Sequence, residues 1–106
     1  MRAKLIFWVF ALLVSAGIGP ALAADASVSI SNFTFHPADL QIKAGSTVTF
    51  RNDDDIPHRV AAEDGSFSTK ALDSDDKATI TFARPGVFPY FCTIHPHMRG
   101  KVTVTP

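Results

Sequence analysis

The stretch from Cys92 to Met98 contains most of the side chains in this sequence that could bind a transition metal. It holds the only cysteine, two of the four histidines and the only methionine besides the initiator. Two histidines and a cysteine with a weak axial methionine are the ligands typical of a blue-copper electron-transfer centre. Cys92, His95 and Met98 would supply three of them, and His58 is the obvious fourth. We therefore predict one copper ion, cycling between Cu(I) and Cu(II), bound by His58, Cys92, His95 and Met98.

The spacing within this stretch suits a single tightly curved loop. Two residues separate Cys92 from His95, and two more separate His95 from Met98. Pro96 fixes its own φ and restricts the backbone of His95 before it, which favours a tight curve. His97 lies in the same loop and could compete with His95, but a curved loop directs it the other way. We expect His97 not to be a ligand.

The N-terminal residues have the pattern of a secretory signal peptide. Arg2 and Lys4 precede an apolar run from Leu5 to Val14, and Ala21-Leu22-Ala23 provides small residues for cleavage. We predict a signal peptide of Sec type at residues 1–23, a mature domain at residues 24–106 and a periplasmic location. The alternative is a retained membrane anchor, but the apolar run is shorter than the roughly 20 residues that span a bilayer.

Removal of the signal peptide would leave a small, slightly acidic domain of about 83 residues, with eight Lys and Arg against ten Asp and Glu. No basic surface suggests nucleic acid as a partner. A single cysteine cannot form an internal disulfide, and a free thiol in an oxidising compartment is exposed to oxidation. A bound metal would protect it. The alternative is a buried, inert cysteine that behaves as a small apolar residue.

Alternating polar and apolar residues predict an all-β fold, a sandwich or barrel of short strands separated by Gly, Pro and Asp clusters. Residues 63–76 are expected to form turns and an acidic loop, from which Phe67 and Leu72 enter the core. The hydroxyl of Tyr90 is expected near an edge of the core. The predicted strands are 28–35, 40–42, 47–50, 58–62, 78–82, 87–92 and 102–105.

Three segments resemble the small type 1 copper proteins, or cupredoxins, and among them the amicyanin group. They are Tyr90-Phe91-Cys92-Thr93-Ile94-His95-Pro96-His97-Met98-Arg99-Gly100-Lys101-Val102, Asn52-Asp53-Asp54-Asp55-Ile56-Pro57-His58 and Lys43-Ala44-Gly45-Ser46-Thr47-Val48-Thr49-Phe50. The resemblance extends over roughly residues 29–104. The short gaps on both sides of His95 are similar to those of amicyanins.

The resemblance implies a Greek-key β-sandwich of about eight strands, with copper bound by the four residues named above. It also implies a hydrogen bond between Asn52 and Thr93 that braces the ligand loop. The expected protein is a monomeric electron carrier and not an enzyme, without stable membrane association. Its transient redox partners would include an amine dehydrogenase and a c-type cytochrome, docking on an apolar patch of Ile56, Pro57, Ile94 and Pro96.

Two other functions are compatible with the same ligands. The first is a periplasmic copper-binding protein that stores or delivers Cu(I) without transferring electrons. The second is a domain of a copper enzyme such as a nitrite reductase, against which the lack of residues for a second copper site argues. Colour distinguishes the first from an electron carrier, because a short thiolate–Cu(II) bond makes the oxidised protein intensely blue.

Overall fold

The computed structural model describes residues 22–106, which form two packed four-stranded sheets. One sheet has the strand order β2-β1-β4-β6 and the other β3-β8-β7-β5. The predicted all-β sandwich of eight strands is confirmed, whereas most of the predicted signal peptide lies outside the described residues. No helix within residues 22–106 is long and apolar enough to cross a membrane. The strands are β1 (Asp25–Ser31), β2 (Thr34–His36), β3 (Asp39–Lys43), β4 (Ser46–Asn52), β5 (Val60–Ala62), β6 (Lys77–Phe82), β7 (Gly86–Cys92) and β8 (Arg99–Thr105).

Alternating residues of the two sheets fill the space between them. On β1 and β4 the inward residues are Val28, Ile30, Val48 and Phe50, all fully buried. These two strands pair in parallel, as do β3 and β8, and the other neighbours are antiparallel. Parallel neighbours cannot be joined by a tight hairpin. The chain therefore crosses between the sheets, and the crossings leave the start of β5 beside the end of β7.

The first predicted strand is divided in two by a turn at Asn32 and Phe33. Ser31 pairs with Thr34, so the two strands are joined by a two-residue hairpin. Both turn residues have left-handed backbone conformations, with φ of 54° and 57°, as in a type I′ turn. That conformation costs a non-glycine residue roughly 1–2 kcal/mol. Phe33 was expected inside a strand, but its side chain is 45% exposed at one end of the sandwich.

The segment between β5 and β6 contributes to the core as predicted. Leu72 is fully buried and Phe67 packs, partly buried, against the same cluster. Leu72 also forms an isolated β-bridge with His58, with hydrogen bonds in both directions at 3.0 and 2.7 Å. The segment between β5 and β6 thus fixes the backbone of His58, a predicted ligand.

The expected position of the Tyr90 hydroxyl is wrong. The residue is fully buried, with its ring edge-to-face against Phe35 and Phe50 at centroid distances of 4.8 and 5.2 Å. Its hydroxyl oxygen has no hydrogen-bond partner within the described chain, and burial, aided by the charge of Asp39, raises its pKa well above the usual value. Aromatic packing in the centre of the sandwich outweighs solvation of this hydroxyl.

Candidate metal centre

A buried asparagine at the end of β4 shapes the loop that carries His58. The side-chain amide of Asn52 donates to the carbonyl of Ile56 at 2.7 Å and to that of Leu72 at 2.9 Å. Its side-chain oxygen accepts from the backbone amide of Asp54 at 2.9 Å. Both donors and the acceptor oxygen of this amide are therefore used, and they tie the loop that joins β4 to His58 to itself and to Leu72.

His58 itself is fully buried and its ring is hydrogen-bonded on one side. The Nε2 atom lies 2.8 Å from a carboxylate oxygen of Asp54. An ionised carboxylate can only accept, so Nε2 carries the hydrogen and the lone pair remains on Nδ1. Hydrogen bonding of this kind orients metal-binding histidines in many proteins.

The Asp54 carboxylate has further donors around it. The backbone amides of Asn32 and Phe33 donate to its two oxygens at 2.6 and 3.1 Å. Partial burial opposes ionisation, but the hydrogen bonds from Phe33, His58 and Asn32 outweigh it and lower the pKa of this carboxyl. Asp54 is therefore ionised at neutral pH.

The loop between β7 and β8 is closed by its own backbone. Cys92, the last residue of β7, donates its amide hydrogen to the carbonyl of Met98 at 3.1 Å, and Met98 donates to the carbonyl of His95 at 2.9 Å. A third bond joins the amide of Thr93 to the carbonyl of Arg59, next to His58, at 2.9 Å. These bonds hold the loop against the His58 strand.

The thiol of Cys92 lies between the two predicted imidazole ligands. Its Sγ atom is 3.7 Å from Nδ1 of His58 and 3.8 Å from Nδ1 of His95, and all three donor atoms lie within 4.8 Å of one another. First-row metals such as zinc bind nitrogen and sulfur at about 2.0–2.3 Å, so two donors to one ion lie no more than roughly 4.3 Å apart. Both sulfur–nitrogen distances are within that limit.

The surroundings of the sulfur also suit a thiolate that binds a soft metal. Cys92 is fully buried, and the backbone amide of Arg59 points at Sγ from 3.5 Å. An amide donor stabilises negative charge on sulfur, as it does in other metal–thiolate sites. Met98 is also buried, at 3% exposure. A buried thioether beside a buried thiol favours copper over harder cations.

The other residues predicted at this site lie outside the donor cluster. His97 is exposed and is not part of the donor cluster, while Pro57, Ile94 and Pro96 are exposed and Ile56 partly so. The expected hydrogen bond between Asn52 and Thr93 is wrong, because the side-chain amide of Asn52 donates to the carbonyls of Ile56 and Leu72 instead.

Sequence reasoning missed one residue of this end of the molecule, Phe33. Its ring lies edge-to-face against His95, at a centroid distance of 5.1 Å, and against His58 at 5.8 Å. The signal that could have found it is the pair Asn32-Phe33 between two apolar alternations, since asparagine tolerates the left-handed conformation of a two-residue hairpin.

Known proteins are similar to this chain in sequence and in architecture. Residues 4–104 match a family model described as a cupredoxin-like domain. The chain belongs to the cupredoxin family. It is 38% identical to an amicyanin of Paracoccus versutus over 80% of this chain and 72% of that protein. It is 36% identical to amicyanin-alpha of Methylorubrum extorquens over 79% of this chain and 75% of that protein.

Solved structures agree with the sequence relatives. The crystal structure of amicyanin from Paracoccus versutus superposes with a TM-score of 0.70, at 37% identity, over 84% of this chain and 87% of that chain. The cofactor of this cupredoxin is copper, and the cluster of His58, Cys92 and His95 is the place in the described chain that fits it.

Proposed function

We propose that this cupredoxin is a periplasmic blue-copper protein that carries single electrons between redox partners. In this proposal His58, Cys92 and His95 would be the strong ligands of one copper ion, and Met98 would be a fourth, weaker ligand. The observation that carries the proposal is the pair of sulfur–nitrogen distances, 3.7 and 3.8 Å, around a buried cysteine. When bound, copper supplies one-electron chemistry by alternating between Cu(I) and Cu(II).

The chain contributes a dry and constrained site to that chemistry. His58 and Cys92 are fully buried, and hydrogen bonds fix their positions: the ring of His58 donates to Asp54, and the amide of Arg59 donates to the sulfur of Cys92. Ligands in fixed positions move little when the metal changes its oxidation state, so the reorganisation energy of electron transfer stays small. With four protein ligands no coordination position remains for a substrate, whereas catalytic metal sites keep one open. Hence we propose a carrier and not an enzyme.

Electrons would enter and leave at the His95 end of the molecule. His95 is partly exposed, and the neighbouring Phe33 and Ile94 are 45% and 48% exposed. Together with Pro57 and Pro96 these residues surround the imidazole with apolar surface. A patch of this size suits the small interfaces of transient redox complexes. An amine dehydrogenase as donor and a c-type cytochrome as acceptor are the partners that we propose.

The structure is compatible with export and removal of residues 1–23. The backbone amide of Ala24 donates to the hydroxyl of Ser46 at 3.0 Å, and the carbonyl of Ala24 accepts from Thr47 at 3.2 Å. The pairing of β1 with β4 begins one residue later, at Asp25. Cleavage after Ala23 would therefore leave every pair of that ladder intact. N-terminal sequencing of the periplasmic protein tests the cleavage site.

The visible spectrum of the copper-loaded protein tests the site. We expect an intense blue absorption in the oxidised form, which Cys92→Ala abolishes and which His97→Ala, in the same loop, leaves unchanged. A colourless protein that binds Cu(I) only would support storage or delivery instead.

Electron transfer requires a separate measurement. Stopped-flow mixing of the reduced protein with an oxidised c-type cytochrome should reduce the cytochrome and make the blue colour of the oxidised copper protein appear within one turnover. Replacement of Ile94 by Lys should slow this reaction without changing the spectrum, because the charge lies in the proposed docking patch. A blue protein that exchanges no electrons with any cytochrome or dehydrogenase would contradict the carrier function.

A further inference from the structure

The acidic run before His58 is not a uniform charged surface. Asp53 accepts hydrogen bonds from Ser29 and Arg51, and Asp55 is exposed. Asp54 differs from both, because its side chain is only 14% exposed and lies between His58 and the β1–β2 hairpin. The three carboxylates thus have distinct surroundings, and only the middle one contacts a predicted ligand.

The carboxylate of Asp54 joins the ring of His58 to the backbone of the turn at Asn32 and Phe33. One of its oxygens accepts from His58 Nε2 at 2.8 Å and from the Phe33 amide at 3.1 Å, and the other accepts from the Asn32 amide at 2.6 Å. One carboxylate therefore fixes the orientation of a buried imidazole and the conformation of a surface turn.

The turn needs such support. Two consecutive non-glycine residues have positive φ, and the second is a bulky phenylalanine, which disfavours that region. Both amide hydrogens of the turn are directed at the same carboxylate. Charge-assisted hydrogen bonds to an ionised acceptor are stronger than neutral ones. They offset the strain and hold Phe33 where its ring meets the two imidazoles.

We propose that Asp54 is a positioning residue of the copper site, which directs Nδ1 of His58 towards the metal and holds Phe33 against both imidazoles. The proposal rests on the copper site of the proposed function, but not on electron transfer. Asp54 acts through His58 and Phe33 and does not itself contact the metal. Phe33 shields the imidazole edges from water on the exposed side, so both the ligand geometry and the surface beside His95 depend on one carboxylate.

The test compares Asp54→Asn with Asp55→Asn, which removes the same charge one residue away. Asparagine has one accepting oxygen and a donating amide group, so it cannot accept from both turn amides and His58. In the diamagnetic Cu(I) protein we expect hydrogen exchange of the Asn32 and Phe33 amides to accelerate roughly tenfold or more in Asp54→Asn. The Asp55→Asn variant should exchange as the parent protein does.

Spectroscopy of the Cu(II) form tests whether Asp54 orients the ring of His58. Asp54→Asn should change the electron paramagnetic resonance parameters and raise the reduction potential more than Asp55→Asn does, because the ring of His58 is no longer fixed. Asp54→Glu, which retains the carboxylate, should restore part of both properties. Identical spectra and identical amide exchange in Asp54→Asn and Asp55→Asn would overturn the proposal.

Phe33→Ala keeps the proposal testable if Asp54→Asn does not fold. This variant retains the carboxylate and the backbone amides that donate to it, so the turn amides should stay protected. Copper should be lost to a chelator severalfold faster, since the cover over the imidazoles is gone, whereas Phe33→Leu should restore the parent rate in large part. Chelation rates that do not differ between the parent and Phe33→Ala would count against the covering role. A protein that shows these effects but fails to exchange electrons would refute the carrier function alone.

Discussion

His58 and His95 present the same nitrogen atom to the same sulfur, at 3.7 and 3.8 Å, but the regions that carry them differ in almost every other respect. His58 is fully buried, pairs with Leu72 through its backbone and with Asp54 through its ring. His95 is partly exposed, and its backbone carbonyl accepts a hydrogen bond from Met98 within the ligand loop. One imidazole is part of the core of the sandwich, and the other is attached to it by a short loop.

This difference separates two tasks of a copper site. The buried region has to exist before the metal arrives, so that the donors are already oriented when it binds. The exposed region has to bring one ligand to the surface, where a partner can approach it. If this division is correct, mutations in the two regions affect different properties, and matched substitutions can distinguish them.

The largest expected effect comes from deleting each imidazole in turn. In the copper-free protein His58→Gly should lower the free energy of unfolding by about 3 kcal/mol or more, because it leaves a cavity and deprives Asp54 of a partner. His95→Gly should lower it by about 1 kcal/mol or less, as expected for a partly exposed loop residue. Both variants introduce the same backbone freedom, so chemical denaturation of the two gives the difference directly.

Added imidazole provides the corresponding functional test. In His95→Gly free imidazole can enter from solvent and should restore a blue copper site. In His58→Gly it would have to enter the core, so a much higher concentration should be needed. Equal losses of stability together with equal rescue would show that the two histidines do not differ as the structure indicates.

A second comparison concerns the residues behind each ligand. Asn52→Ala leaves the carbonyl of Ile56 without its donor and the carbonyl of Leu72 with one donor instead of two, and it should cost about 2–3 kcal/mol of stability. Thr93→Ala in the ligand loop should cost about 0.5 kcal/mol. In the double variant the two effects should add, since no hydrogen bond joins the residues. A coupling energy above about 1 kcal/mol between the two substitutions would show that Asn52 and Thr93 interact directly, as the family resemblance implied.

The fold could be predicted from the sequence almost completely, because each strand has its own alternation of apolar residues and its own boundary of Gly, Pro or Asp. The error at Asn32-Phe33 has a physical cause. A phenylalanine two residues from another phenylalanine continues the strand pattern. The left-handed turn is stabilised by hydrogen bonds to Asp54, which is more than twenty residues away in the sequence.

That Cys92 and His95 lie together could also be predicted, since they are close in the sequence and have the chemistry of metal ligands. The role of Met98 stays a prediction. The hydrogen-bond partners of the surrounding residues could not be predicted. The hydrogen-bond partners of Asn52 depend on which carbonyls the folded chain brings within 3 Å of its amide. Residue types alone do not contain that information. The hydroxyl of Tyr90 is a similar case, because the surrounding aromatic rings decide its environment.

Gly100 connects the ligand loop to the core. It lies near the start of β8 and outside the left-handed region of backbone conformation. A β-carbon there would lie 2.5 Å from the Tyr90 hydroxyl oxygen. Gly100→Ala should therefore cost about 1–3 kcal/mol through overpacking and disturb the loop that ends two residues earlier. Denaturation and the visible spectrum of this variant should change together; an unchanged spectrum at reduced stability would show that the loop is independent of β8.

The smallest effect is expected at Tyr90, in the aromatic core of the sandwich. Removal of the unpartnered hydroxyl in Tyr90→Phe should stabilise the protein by about 1 kcal/mol at neutral pH. The pKa of Tyr90 is raised in the folded state, so the folded protein retains a proton that the unfolded chain loses near pH 10. Stability from this group is complete below that pH and declines as the pH rises above it. The phenylalanine variant should lack this alkaline component. Because Tyr90 is the only tyrosine, tyrosinate absorbance follows its ionisation directly, and ionisation at the ordinary pKa without unfolding would show that the hydroxyl is accessible to water.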